Sequence, residues 1–430
     1  MIPEARLGVR CARAGGGALA AAVAATVRRE PTASRAADLV RDVLVRLGPV
    51  PVKFGQVLAT RADLLPAGWR TSLGALHDDV PPPPAGALLS VEGLGLAEAA
   101  TERVLGSGSV AVVHAGVVDG RPVAVKRRRP GVEVDLETDL AVLVRAASLL
   151  ARARPLRRLP VREVTEQVCG IIRSQVDLEQ EAANLAALAE FTVGRRVHVP
   201  VALPEASTAE VLVTPLVTGL DRDAWTHLPE AERAVLVEEL MHFVYAALFA
   251  HGLVHGDLHP GNVYADLGAD EPRVVVLDGG MVFRLGEAAR RSFMAFFLSF
   301  ATGDGTTCAA VVWEAAEQRG AADRADFDDD MVRLIAHHHG RSARDFSLAL
   351  FARDFFGLLR RHGLRASPDF ALPVVALLVV EGTVREHAPD LDFQQLAVPH
   401  LLRATFALAP DDHHGDAIWR SSPDALVERA

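Results

Sequence analysis

Residues 103 to 126, RVLGSGSVAVVHAGVVDGRPVAVK, constrain this chain more than any other stretch, because they interrupt long helical texture with a block of β texture. Two β-prone runs flank a Gly-Ser loop, and Asp119-Gly120 marks a two-residue hairpin, where both central residues need positive φ. A third run ends in Lys126. Before this block, the spacing of Ala, Leu, Val and Arg to about Leu76 predicts helix. After it, helical spacing returns from Glu133 to about Phe191, broken around RARPLRRLP. EVLVTPLVTG predicts one more strand leading to a crossover, with Thr214 and Leu216 at its end as candidate nucleotide-binding residues. From Pro229 onward helix dominates. The chain therefore reads as α+β: a small β-rich lobe, then a larger helical lobe, preceded by a helical extension.

The Pro-rich run PPPP at 81 to 84 removes backbone donors and fixes φ, so it reads as a stiff spacer. It sets expected bounds of 1–84 for the extension, 85–218 for the β-rich lobe with its helical insertion, and 219–430 for the helical lobe. At 430 residues, half of them hydrophobic, the chain can bury a large core. A net charge of −10 argues against a general nucleic-acid binder, which needs a basic footprint. Cys11, Cys169 and Cys308 show no CxxC spacing, which favours a reducing cytoplasm over a disulfide framework or a zinc site. No apolar run reaches the roughly 18 residues of a membrane span. ALAAAVAAT, at 18 to 26 between arginines, reads as an amphipathic helix resting on a surface rather than as a signal peptide.

The chemistry concentrates in VHGDLHPGNVYADLGADEPRVVVLDGG, residues 254 to 280. Asp257 and Asn262 stand five positions apart across a turn stiffened by Pro260 and Gly261, and Asp278 closes a strand-like run. An Asn on a loop and an Asp at the end of a neighbouring strand can offer hard oxygens to magnesium ions bridging nucleotide phosphates. A second Asp at the head of the loop can orient or deprotonate an attacking hydroxyl. Protein kinases use D-x-x-x-x-N followed by D-F-G in this way. Upstream, Gly106, Ser107, Gly108 and Ser109 would let backbone amides approach phosphates, and Lys126 would reach them if a carboxylate held it. In SQVDLEQEAANL, Asp177, Glu181 and Asn184 fall on one helical face, and Glu181 is the expected partner of Lys126.

KFGQ with TRADLLP, DDVPP, VAVK, DLEQEAAN, HGDLHPGN and LDGG together resemble the UbiB-type atypical kinase family, also called AarF-like, over roughly residues 40 to 395. The resemblance implies a protein-kinase-like bilobal fold carrying a K-x-G-Q extension folded over the nucleotide site. It implies ATP and Mg2+ as cofactors, and an ATPase or unorthodox kinase activity. It also implies a role in ubiquinone, menaquinone or other isoprenoid lipid synthesis at a membrane, with peripheral contact to lipids or a biosynthetic complex. By the same resemblance Lys53 and Gln56 look like lid residues, and Lys126 with Glu181 like the phosphate-anchoring pair. Asp257 looks like the catalytic-loop acid, Asn262 and Asp278 like metal ligands, and Asp177 like the second acid of the family's E-x-D.

Three features depart from that pattern. Gly106, Ser107 and Gly108 replace an alanine-rich loop, Gln175 stands for the first acid of E-x-D, and Gly279 stands where a phenylalanine plug is usual. The histidines at 337 to 339 and the DDHHGD stretch read as solvated turns, and Arg127 to Arg129 as a solvated strand end. A small-molecule phosphotransferase of the aminoglycoside-kinase type also shows HGDLHPGN, and a nucleotide-binding pseudokinase scaffold is the other competing function.

Overall fold

The computed structural model describes residues 33–47, 49–60, 67–76, 103–108, 110–130, 132–150, 161–221, 223–319, 323–341 and 344–407. Ser109, the PPPP run, the ALAAAVAAT segment, Cys11 and the DDHHGD stretch lie outside them. By contact the chain divides into two units. One comprises Met1–Leu228, His255–Val282 and Val375–Val380; the other comprises Pro229–Val254, Phe283–Val374 and Glu381–Ala430.

The first unit opens with α1 (Ala33–Leu47), α2 (Pro49–Thr60) and α3 (Ala67–Gly74), which pack on one another. Ala37, Leu44, Trp69, Leu73 and Leu76 form their shared core. Strands β1 (Val104–Ser107), β2 (Ala111–Val118) and β3 (Arg121–Arg128) follow. Then come helices α4 (Val132–Leu150), α5 (Val161–Ser174) and α6 (Leu178–Ala189), and strands β4 (Val197–His198) and β5 (Val211–Pro215). The expected hairpin is present: β2 turns into β3 through Asp119 at φ 49° and Gly120 at φ 76°, both positive as the two-residue turn requires. The antiparallel sheet runs β1-β2-β3-β5.

Alternation along β3 divides its side chains between two faces. Val123 and Val125 enter a core with Val118, Ala206, Val211 and Val213. Ala124 and Lys126 lie on the other face, where the register pairs them with Thr214 and Leu212 of β5.

Helix α7 (Ala224–His227) comes next along the chain, and α8 (Glu230–Tyr245) and β6 (Leu253–His255) precede the hairpin of β7 (Val263–Asp266) and β8 (Arg273–Val276). That hairpin is antiparallel, and β4 pairs with β8 in parallel, giving the order β4-β8-β7.

The second unit, apart from α8, contains β9 (Val282–Arg284) in part, α9 (Glu287–Thr302), α10 (Gly305–Ala315), β10 (Ala316–Arg319), α11 (Arg324–His338), α12 (Leu348–Arg361), β11 (Leu364–Ala366) and α14 (Phe393–Ala407). Helix α13 (Pro368–His387) belongs to it at both ends. Its core is aromatic. Phe296 and Phe300 of α9 meet Phe351 and Phe355 of α12 and Phe370 of α13, with centroids 4.8 to 6.4 Å apart, in the range of favourable ring contacts. Among the described residues no helix is long and apolar enough to cross a membrane.

Two expectations fail here. His337 and His338 close α11 rather than forming a turn, and His338 is buried. Arg127 and Arg128 are buried too: Arg128 pairs with Glu210 at 2.7 Å, and the run is no solvated strand end.

Candidate active site

Lys126 sits in the middle of β3, between Val113 of β2 and Leu212 of β5. Its Nζ donates to both carboxylate oxygens of Glu181, at 2.6 and 2.8 Å, and to Asp278 Oδ2 at 3.1 Å. Glu181 is brought there by α6, which starts where Asp177 accepts a hydrogen bond from the Gln180 amide at 3.0 Å. Helical spacing then places Glu181 and Asn184 on one buried side with Leu178, Leu185 and Leu188. Asp177, being the cap, stays exposed and does not share that face.

The spacing from Asp257 to Asp278 follows from a hairpin register. Val263 pairs with Val276, so Asn262 and Leu277 meet at its open end, where the Leu277 amide donates to the Asn262 carbonyl at 3.1 Å. Asp278 is the next residue. The Asn262 side-chain amide donates to the Asp257 carbonyl at 2.9 Å, which sets the width of the loop. A Cβ at Gly261 would stand 2.5 Å from the half-exposed His259 ring, which would have to move aside.

Two residues given no role by the sequence, His255 and Asn184, tie these parts together. The Asp257 amide donates to His255 Nδ1 at 3.2 Å, so His255 carries its proton on Nε2 and donates it to the Asp278 carbonyl at 2.7 Å. Burial lowers the pKa of His255, which holds it neutral in that tautomer. Asn184 donates to the Gly279 carbonyl at 2.9 Å and accepts from Gln180 at 3.0 Å. The Asp-Gly-Gly turn is thereby docked on α6. A Cβ at Gly279 would stand 2.9 Å from Leu185 Cγ and 3.1 Å from the Glu181 carbonyl. The absence of the usual phenylalanine is thus a close approach of turn to helix, not a missing plug. His255 had a signal in the sequence, as it stands two residues before Asp257, and Asn184 had its three-residue spacing from Glu181.

The charges are unequal in their settings. Burial favours the neutral form of Lys126, but the Asp278 and Glu181 carboxylates overcome it and raise its pKa. Burial likewise works against Asp278, yet Lys126 and the Gly280 amide, which donates to Oδ1 at 2.7 Å, hold its carboxyl well below the usual range. Glu181, 1% exposed, is dominated by burial and moves up. The ammonium therefore stays charged between one firmly ionised carboxylate and one that resists ionisation.

Gly106 and Ser107, expected in a loop, are the end of β1, paired with Val113 and Val112. The turn is tightened by the Gly108 amide on the Ala111 carbonyl at 2.9 Å, and Arg129 braces it, donating to the Gly108 carbonyl at 2.8 Å and to Ser107 Oγ at 2.9 Å. Thr214 lies across from Ala124 on the Lys126 face, and the Leu216 amide donates to the Pro122 carbonyl at 3.1 Å. Lys53 and Gln56 are on α2, which packs on α1, α3, α4 and α5. The Gln56 amide donates to the Leu76 carbonyl at 3.2 Å, while its Oε1 is buried without a hydrogen-bond partner among the described residues. The Oε1 of Gln175, just past α5, is in the same condition. Gly55 lets α2 approach its neighbours, since a Cβ there would meet Leu76 Cδ1 at 2.4 Å and Leu44 Cδ1 at 2.7 Å.

Two oxygen-bearing side chains, Asn262 and Asp278, flank the open end of the hairpin. No group of three or more His, Cys, Asp or Glu among the described residues is set to hold a metal. That donor set fits magnesium, which commonly takes one or two protein oxygens and completes its shell with water and phosphate.

An antiparallel sheet bearing a lysine paired to a helical glutamate, followed by a hairpin flanked by Asp, Asn and Asp, defines a protein with an α+β protein-kinase-like fold. A family model described as the ABC1 atypical kinase-like domain matches residues 98–312, and one described as the UbiB helical domain matches residues 331–392. A probable protein kinase UbiB of Marinobacter nauticus is 31% identical over 389 residues, covering 86% of this chain and 70% of the relative. The protein of the same description from Aeromonas salmonicida is 30% identical over 391 residues, covering 87% and 71%. Among solved structures, that titled the complex structure of Rv3197-erythromycin from Mycobacterium tuberculosis aligns with a TM-score of 0.48 at 20% identity, covering 78% of this chain and 91% of that one. The chain belongs to the ABC1/UbiB family of atypical kinase-like proteins.

Proposed function

We propose that this protein binds ATP with Mg2+ and turns it over as a UbiB-type atypical kinase or ATPase, in support of isoprenoid quinone or other lipid synthesis at a membrane surface. The observation that carries the reading is Lys126 Nζ held between Glu181 and Asp278, beside a loop that presents Asp257 and Asn262. Lys126 anchors nucleotide phosphates as a point charge, and Glu181 keeps it aimed. Gly106 and Gly108, without side chains, let the end of β1 come close to the same phosphates, although the Gly108 amide is already engaged by the Ala111 carbonyl, and Thr214 and Leu216 border the face on which the nucleotide lies. Asn262 and Asp278 supply oxygens to magnesium, which when bound offsets phosphate charge. Asp257 accepts the proton of the attacking hydroxyl or water.

Thermal-shift titration of the purified chain tests this. ATP with magnesium stabilises the wild type, ATP without a divalent ion does not, and Asp278→Asn loses the effect while its unliganded melting temperature stays close to wild type. Asp257→Asn retains binding and loses phosphate release. Equal stabilisation of wild type and Asp278→Asn would refute the metal assignment. A quinone profile of cells lacking the protein tests the pathway, and an unchanged profile would remove quinone synthesis from the reading.

A further inference from the structure

Away from the candidate active site, the second unit carries a groove of about 360 Å3 between α11 and α12. Three arginines line it: Arg333 from α11, and Arg353 and Arg361 from α12. Two carboxylates hold them. Asp330 accepts from Arg333 at 2.5 Å and, across the helix pair, from Arg361 at 3.4 Å, and Asp354 accepts from Arg353 at 2.8 Å. Cations outnumber carboxylates by three to two, so these side chains leave the groove with a formal charge of +1 before its imidazoles are counted. A guanidinium has five N–H donors, and in each of these contacts it engages a carboxylate through a single nitrogen.

A second observation points to the same space. His338 lines the groove and is only 5% exposed, yet its Nε2 makes no hydrogen bond among the described residues. Asp354 Oδ2 stands 3.5 Å away, at the limit of any useful bond. A buried imidazole nitrogen without a bonded partner is a cost, and because this one is itself enclosed, the cost would be relieved only by a shift of the groove wall around a bound anion.

We propose that the α11–α12 groove binds a small phosphate-bearing anion, held by Arg333, Arg353 and Arg361. A phosphate presents three terminal oxygens, each able to accept from more than one guanidinium, whereas the carboxylate geometry is already supplied by Asp330 and Asp354. The volume is at the lower end of small-molecule sites, enough for a phosphate and a short attached group. Arg333 and Arg361 are 67% and 63% exposed, so the rest of a larger molecule would extend from the rim into solvent. The phosphate can belong to a soluble phosphomonoester or to a lipid headgroup.

The test uses the full chain as wild type, as Lys126→Met to weaken phosphate binding at the nucleotide site, as Arg333→Gln/Arg361→Gln, and as Arg353→Gln. Inorganic phosphate and glycerol phosphate are titrated against chloride at matched ionic strength, followed by thermal shift, with circular dichroism as the check on folding. Phosphate is expected to stabilise wild type and Lys126→Met alike, with an apparent affinity at least tenfold weaker in each arginine variant. Sedimentation with phosphatidylcholine vesicles, with and without phosphatidic acid, separates the sources: Arg-dependent retention on phosphatidic acid identifies a headgroup, and phosphate binding without retention identifies a soluble ligand. The proposal is overturned if phosphate does no more than chloride and vesicles are not bound. It is equally overturned if the phosphate effect vanishes in Lys126→Met but survives in the arginine variants.

Discussion

Replacing Gly279 by alanine adds one methyl group at the point where the Asp-Gly-Gly turn touches α6. The added carbon would stand 2.9 Å from Leu185 Cγ, 3.1 Å from Leu185 Cδ2 and 3.1 Å from the Glu181 carbonyl, against about 3.5–4.0 Å for a comfortable contact. Leu185 is a side chain and can give; the carbonyl is helix backbone and cannot. Overpacking of this kind costs about 1–3 kcal/mol, and the smaller conformational freedom of the unfolded alanine chain returns about 0.4–1 kcal/mol. The net is a destabilisation of about 1–2 kcal/mol, which lowers the unfolding temperature by about 2–8 °C for a unit of this size.

Relief can come by moving the turn, which lengthens the Asn184–Gly279 bond of 2.9 Å and the Lys126–Asp278 contact of 3.1 Å. Misplacement worth ~1.4 kcal/mol would weaken metal-dependent nucleotide binding about tenfold. Urea denaturation measures the first effect and thermal shift with magnesium and ATP the second. Leu185→Ala vacates the space, so Gly279→Ala should cost less in that background than in the wild type. Wild-type stability in Gly279→Ala, or identical costs in the two backgrounds, would refute the close-approach account.

Lys126→Met should abolish nucleotide-dependent stabilisation, whereas Glu181→Gln should weaken it by a smaller factor because Asp278 still holds the ammonium; isothermal titration compares them, and equal loss would count against Glu181 as an aiming residue. Gly55→Ala should destabilise the α1–α3 cluster by about 1–3 kcal/mol through contact with Leu76 and Leu44, visible as earlier loss of that segment in limited proteolysis, and wild-type resistance would contradict it. His198 and His255 are both lowered, chiefly by burial, with the Arg273 charge adding to the effect at His198. Through these two imidazoles the unfolded chain binds more protons than the native one between their native values and about 6.5, so their contribution to stability is fully present above about pH 6.5 and falls as pH drops below it; the Glu181 carboxyl, raised to about 7 by burial, contributes with the opposite sign. His198→Gln should flatten that slope in denaturation midpoints taken from pH 7.5 to 5.5, and an unchanged slope would show that His198 does not contribute.

What the sequence disclosed was local chemistry and motif spacing. Asp119-Gly120 sets its own backbone, so the hairpin was readable, and Lys126 with Glu181 could be paired over 55 residues because each sits in a recognisable pattern. What it concealed depends on which surfaces meet. Arg128 finds Glu210 from 82 residues away and Arg129 finds the glycine turn from 21 and 22 away, and a run of three arginines carries no sign of either. Gly279 looked like a loss because its spacing gives no hint that α6 comes within contact of its backbone. Gly106 and Ser107 have poor strand propensity, yet pairing with β2 overrides it.

The unit that holds Lys126, Glu181, Asp257, Asn262 and Asp278 is assembled from stretches separated by Pro229–Val254, which belongs to the other unit. This has a consequence for vectorial synthesis. Asp278 leaves the ribosome 97 residues after Glu181, a delay of about 5–20 s at ordinary elongation rates of roughly 5–20 residues per second. Throughout that interval β3 and α6 can already meet, with the Lys126 ammonium facing Glu181 alone and Asn184 lacking the Gly279 carbonyl. The nascent lobe is then missing its most firmly ionised carboxylate and the docked turn. Chains arrested before residue 278 should therefore expose the Leu185 side of α6 to chaperones and proteases, and those long enough for Gly280 to clear the ribosome should not.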